Sequence, residues 1–124
     1  MDIIKIEGTE DTPAIELNKS VGIFEISGRS LPEDCAEFYK PVIAWLDEYV
    51  KDPIDKTHFE IKLEYFNTAS SKVILDILSR IEKLADSGKE YKVIWYYDED
   101  DEDMQEAGEE FSELVEVPFE FKTY

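Results

Sequence analysis

The chain has 124 residues, 43% of them hydrophobic and 13% aromatic, which suits one folded domain spanning residues 1–124. It carries 13 basic against 31 acidic side chains, a formal net charge of −18 at pH 7. Phosphate-rich surfaces are bound through clustered Lys and Arg and repel a chain this acidic, so nucleic acid and anionic membrane are not expected as partners. A single cysteine, Cys35, excludes an intrachain disulfide and any multi-cysteine metal site. No basic-then-apolar segment opens the chain and no apolar run is long enough to span a bilayer, which makes the cytoplasm the expected location.

Asp2–Ile6 reads as a short strand, followed by the turn-rich Gly8–Pro13 and a second strand at about Ala14–Leu17. Asn18-Lys19-Ser20 makes a hairpin turn into a third strand, Val21–Ser27, closed by Gly28. Together these predict an antiparallel meander. Ser30 and Glu33 then stand at capping-box spacing around Pro32, before the apolar face Cys35, Phe38, Val42, Trp45, Leu46 and Tyr49. Pro41 falls inside that pattern and predicts either a bent helix or a main helix beginning there.

His58–Tyr65 alternates strictly, with Phe59, Ile61, Leu63 and Tyr65 on the inner phase and His58 on the solvated one. The next helix presents Val73, Ile74, Ile77, Leu78, Ile81, Leu84 and Ala85, and Gly88 ends it. Tyr91–Tyr97 is apolar on both faces, as a central strand should be. A third helix sets Met104, Ala107, Phe111 and Leu114 inward, Pro118 bounds it, and Phe119–Thr123 alternates as a last strand. The order β-β-β-α-β-α-β-α-β predicts an α/β fold: a mixed sheet with parallel pairing in its second half and helices packed mostly on one face.

Catalytic chemistry finds little support. There is one histidine, no Gly-rich phosphate loop, no nucleophile elbow and no metalloprotease helix, so no catalytic residue, cofactor or metal site is assigned. The acidic run Asp98–Asp103 invites a calcium reading, but the EF-hand spacing fails. Carboxylates at a helix start are stabilised by the dipole by about 0.3–1 kcal/mol each, and that role fits the run better.

Asn67-Thr68-Ala69-Ser70-Ser71 follows the clearest strand and opens the most regular helix, at the sheet edge where ligands and partners of α/β proteins engage. A hydroxyl of Thr68, Ser70 or Ser71 can cap that helix. A phosphoryl group is also accommodated there, because free N–H groups and the dipole favour an anion.

Four segments in chain order resemble the SiaC-type regulatory phosphoproteins: Gly8–Ile15, Gly28–Glu33, Tyr65–Lys72 and Trp95–Asp98. The resemblance implies a fold similar to the STAS domains of anti-sigma factor antagonists. It also implies that Thr68 is the phosphoacceptor of a Ser/Thr protein kinase, reversed by a PP2C-like phosphatase. The unphosphorylated form is then expected to bind and activate a diguanylate cyclase, linking the protein to cyclic-di-GMP and biofilm signalling. The partner-binding residues expected on this basis are Asn67, Thr68, Ala69, Ser70, Ser71 and Lys72, with Asn67 shaping the turn and Ser70 and Ser71 capping the helix. The alternatives are a constitutive acidic protein-binding module and, less favoured, a small calcium- or carboxylate-dependent enzyme.

Overall fold

Apolar residues on alternate positions of a strand can be buried only if one face of the sheet is covered, and here one face is. A computed structural model describes residues 2–124. Its elements are β1 (Ile4–Ile6), β2 (Ala14–Asn18), β3 (Ile23–Ser30), α1 (Cys35–Tyr49), β4 (Lys56–Phe66), α2 (Thr68–Glu82), β5 (Glu90–Tyr97), α3 (Glu102–Leu114) and β6 (Phe119–Thr123). The six strands lie side by side in chain order. β1, β2 and β3 are antiparallel, and β3 through β6 are parallel.

Ile15, Ile26, Ile61 and Trp95 sit level across β2 to β5 and are all buried. With the inward residues of all three helices they form one hydrophobic core. Right-handed crossovers between strands laid down in order put every helix on the same side, as expected for this topology. The opposite face carries Glu25, Glu60, Lys62, Lys92, Tyr96 and Glu120, laced by exposed or half-exposed pairs such as Lys92–Glu120 at 3.0 Å and Lys62–Glu25 at 3.8 Å. Such pairs contribute at most about 1 kcal/mol each and serve mainly to keep the open face soluble.

Several expectations are corrected by particular residues. β3 does not end at Gly28: it runs on to Ser30, with Gly28 at φ 101° inside it. Only glycine adopts that backbone freely, and it marks a bulge where Gly28 pairs with Leu63 but Arg29 pairs with Tyr65, passing over Glu64. The bulge reverses the side-chain phase. Tyr65, expected inward, is therefore 48% exposed. Phe66 turns in instead, with its ring centroid 6.4 Å from that of Trp95 and 6.1 Å from that of Phe111.

In α1 the cap is Asp34, whose Oδ1 accepts the Glu37 N–H at 3.1 Å, rather than Ser30. Pro41 lies on the exposed side within the unbroken span Cys35–Tyr49, so the helix does not begin there. Tyr39 is fully buried, whereas Phe38 only packs against the rim of the core. Further along, α2 tightens into a 3₁₀ turn over Lys83–Ser87, which keeps Leu84 buried but swings Ala85 outward before Gly88 at φ 73°. Leu114 is 65% exposed because α3 stops there and Val115, already extended, takes the inward place.

α3 is seated on β5 through a glycine. A Cβ on Gly108 would come within 2.5 Å of the Trp95 ring, whose Nε1 donates to the Met104 carbonyl at 3.0 Å. Alanine is the better helix former by about 1 kcal/mol, yet here it meets a fully buried indole. Gly108→Ala should lower unfolding stability by about 1–3 kcal/mol, read by urea denaturation followed by circular dichroism. Unchanged or increased stability would show that α3 does not rest on Trp95.

Candidate functional site at the start of α2

The turn from β4 into α2 is tied down by backbone and side-chain bonds on both sides of Thr68. The Asn67 N–H donates to the Ser30 carbonyl at 3.1 Å, joining the ends of β3 and β4. Asn67 Oδ1 accepts the Ser70 N–H at 2.8 Å, and its carbonyl accepts the Ser71 N–H at 3.1 Å. The cap of α2 is thus Asn67 in extended conformation, not a hydroxyl of Ser70 or Ser71.

Ser70 has another task. It is completely buried, and its Oγ donates to the Ser30 carbonyl at 2.9 Å. With that proton committed, Ser70 Oγ accepts from Ser30 Oγ at 2.8 Å and from Cys35 Sγ at 3.5 Å. Ser30 in turn accepts from Tyr39 Oη at 2.6 Å. Proton counting therefore gives the chain one direction: Tyr39 to Ser30 to Ser70 to the Ser30 carbonyl. No buried side-chain nitrogen or oxygen among the described residues lacks a partner. Burial pushes the Tyr39 hydroxyl up to about 12, so it remains a donor throughout the ordinary pH range.

What the turn shows to solvent is narrower than the six residues expected to engage a partner. Thr68, Ala69 and Lys72 are exposed, Asn67 and Ser71 are half-buried, and Ser70 is inaccessible. Thr68 is the first residue of α2, where backbone N–H groups have no carbonyl four residues back to receive them. No acidic residue occupies the first turn of α2, whereas Glu37 lies in that of α1, and Glu102 and Asp103 in that of α3. Lys72 follows one turn later on α2, and the Arg29 guanidinium stands 5.7 Å from the centre of the Tyr65 ring nearby. Arg29, Ser30 and Tyr39 were not picked out for this site from sequence. Ser30 mimicked a cap, and Tyr39 differs by one position from the Phe38 that the apolar pattern favours.

The remaining candidates fall into place around this turn. Cys35 is buried at the first position of α1, within the hydroxyl cluster. His58 Nε2 lies 2.9 Å from Glu90 Oε2, a contact that lowers the Glu90 pKa. In the acidic run, Asp101 caps α3 by accepting the Met104 N–H at 3.0 Å, and Asp98 Oδ1 accepts the Asp100 N–H at 2.9 Å. A concavity of about 620 Å³ beside it is lined by Glu64, Asp98, Asp101, Asp103 and Tyr124. Among the described residues no group of three or more His, Cys, Asp or Glu side chains is placed to hold a metal ion, and no helix is long and apolar enough to cross a membrane.

The fold is thus a one-sided α/β sheet that presents the Thr68 hydroxyl at the start of α2. Comparison with known proteins gives its family. A family model described as SiaC family regulatory phosphoprotein matches residues 6–124. An uncharacterized protein of Pseudomonas aeruginosa (strain UCBPP-PA14) is 32% identical over 124 residues, with 100% of this chain and 98% of that one covered. The structure of SiaC of Pseudomonas aeruginosa is 31% identical and matches with a TM-score of 0.89 over 100% of both chains. A chain in the crystal structure of diguanylate cyclase SiaD in complex with its activator SiaC, from the same species, is 32% identical. It matches with a TM-score of 0.89 over 98% of this chain and 99% of that one. The chain belongs to the SiaC family of regulatory phosphoproteins.

Two measurements test the local account. Asn67→Ala should cost about 1 kcal/mol of stability through loss of the α2 cap, read by chemical denaturation. An unaltered midpoint would mean that Asn67 Oδ1 does not hold the Ser70 N–H. Alkaline pH tests the buried tyrosine. Its pKa is higher in the folded than in the unfolded chain, so the folded form binds more protons between about pH 10 and 12 and stability falls across that window. Tyr39→Phe should flatten that fall by up to about 3 kcal/mol in urea titrations at successive pH values. A slope identical to that of the unmodified chain would contradict the burial of this hydroxyl.

Proposed function

We propose that the protein is a non-catalytic, cytoplasmic partner-switching adaptor controlled by reversible phosphorylation of Thr68. A Ser/Thr protein kinase adds the phosphate and a PP2C-like phosphatase removes it. The observation that carries this reading is the exposure of Thr68 at the first position of a buttressed helix whose opening turn holds no carboxylate. A dianion is stabilised there by the helix dipole and unpaired N–H groups, so the fold tolerates modification. Membership of a family of regulatory phosphoproteins supports it.

The unphosphorylated turn, with Thr68, Ala69 and Lys72 outermost and Asn67 and Ser71 beside them, forms the docking surface for an effector. A diguanylate cyclase is the effector favoured, because the similar protein SiaC is the activator of diguanylate cyclase SiaD in their complex. Phosphate adds about −1.5 to −2 charges at one point. Against a net charge of −18 the global field hardly changes, so the switch acts by local desolvation and repulsion at this surface.

The experiment is phosphorylation by the cognate kinase with the site mapped by mass spectrometry, followed by effector binding of both forms. Thr68→Ala should abolish modification, and the phosphorylated form should bind the effector at least about tenfold more weakly. Modification that persists in Thr68→Ala overturns the assignment, as does equal binding by the two forms. The acidic concavity beside α3 favours a second reading, a constitutive module for a basic protein partner. Its signature is binding that weakens with salt and ignores the state of Thr68.

A further inference from the structure

Tyr39 belongs to α1 and Thr68 to α2, and the two are joined through three hydroxyls. Tyr39 Oη donates to Ser30 Oγ at 2.6 Å, Ser30 Oγ meets Ser70 Oγ at 2.8 Å, and Ser70 Oγ returns to the Ser30 carbonyl at 2.9 Å. That same carbonyl takes the Asn67 N–H at 3.1 Å. Thr68 is therefore bracketed by Asn67 and Ser70, each anchored to Ser30. Ser30, Tyr39 and Ser70 are all fully buried, where an unpaired hydroxyl is costly, so loss of one bond is felt by the rest. Tyr39 also lines a groove of about 330 Å³ between α1 and α2, together with Ile43, Ala44, Val73 and Asp76.

We propose that Tyr39 is a positioning residue for the Thr68 turn, acting through Ser30 and Ser70, so that the seating of α1 and the first turn of α2 are coupled. The importance of this for signalling rests on the role proposed for Thr68, but the coupling itself is a property of the fold. The hydroxyl of Tyr39 bonds Ser30 and not Thr68. Its hydroxyl fixes the direction of the Ser30 hydroxyl, which holds Ser70 at the third position of α2. With that proton donor gone, Ser30 Oγ is free to turn away from Ser70, and the first turn of α2 loses an anchor that α1 supplied.

The test is native-state amide hydrogen exchange on Tyr39→Phe, with Tyr49→Phe as the control. Tyr49 is equally buried in the same helix, but its hydroxyl bonds Thr57 at 2.6 Å, away from the turn. In Tyr39→Phe, amides 70–72 should exchange at least about fivefold faster after normalisation to core amides such as Ile61 and Val93. In Tyr49→Phe the normalised rates at 70–72 should not change. Ser30→Ala should accelerate the same amides, giving a second route if Tyr39→Phe folds poorly. Acceleration confined to α1, or matched by the core amides or by the control, overturns the proposal. Exchange requires no kinase, so a failure here is distinct from a failure of Thr68 as phosphoacceptor.

Discussion

A serine hydroxyl sealed inside a helix–sheet core has no water to turn to, and the geometry around Ser30 follows from that constraint. Its oxygen atoms must be satisfied by neighbouring protein groups, and those come from three separate elements: Asn67 from the β4–α2 turn, Ser70 from α2 and Tyr39 from α1. Apolar contacts hold helices on a sheet but tolerate small slides, whereas a hydrogen bond of 2.6–2.9 Å does not. The last residue of β3 is thereby the common reference point for the start of α2 and the first turns of α1. Thr68 stands in solvent on a base whose position is set from below.

The electrostatics complement that geometry. With 31 acidic side chains in 124 residues, carboxylates crowd most of the surface. Two of the three long helices begin in the usual way, with acidic residues in the first turn of α1 and α3. α2 instead relies on the neutral amide of Asn67 for its cap. No carboxylate of α2 itself lies in that first turn, so the dipole there has no counter-charge from its own helix.

The order of elements and the parallel half of the sheet were legible in sequence because each rests on strong periodicity: strict alternation in β4, helical spacing in α2, an apolar run in β5. Turn chemistry was legible as a place but not as a mechanism. Asn, Thr and Ser can all cap a helix, and only three-dimensional context decides that Asn67 does so while Ser70 faces inward. The bulge opposite Gly28 was invisible for a similar reason. A glycine at a strand end and a glycine facing a bulge look alike in sequence, yet the second goes with a phase shift in the last two residues of β4 that exposes Tyr65. Gly108 was not singled out in sequence, because the meaning of a lone glycine in a helical pattern depends on the indole beneath it. The proposal for Thr68 rests on a family resemblance together with its position before a regular helix.

The side-by-side arrangement of strands in chain order has a consequence for how the molecule comes into being. Each new strand from β4 onward meets a sheet edge that is already present, with its own crossover helix supplied by the intervening chain. The sheet can therefore extend outward in the direction of synthesis, without waiting for a distant segment to be inserted between strands already paired. Its growing margin is sealed at β6, a five-residue strand bearing Glu120 and Lys122, short and charged in the manner that discourages further chains from joining it.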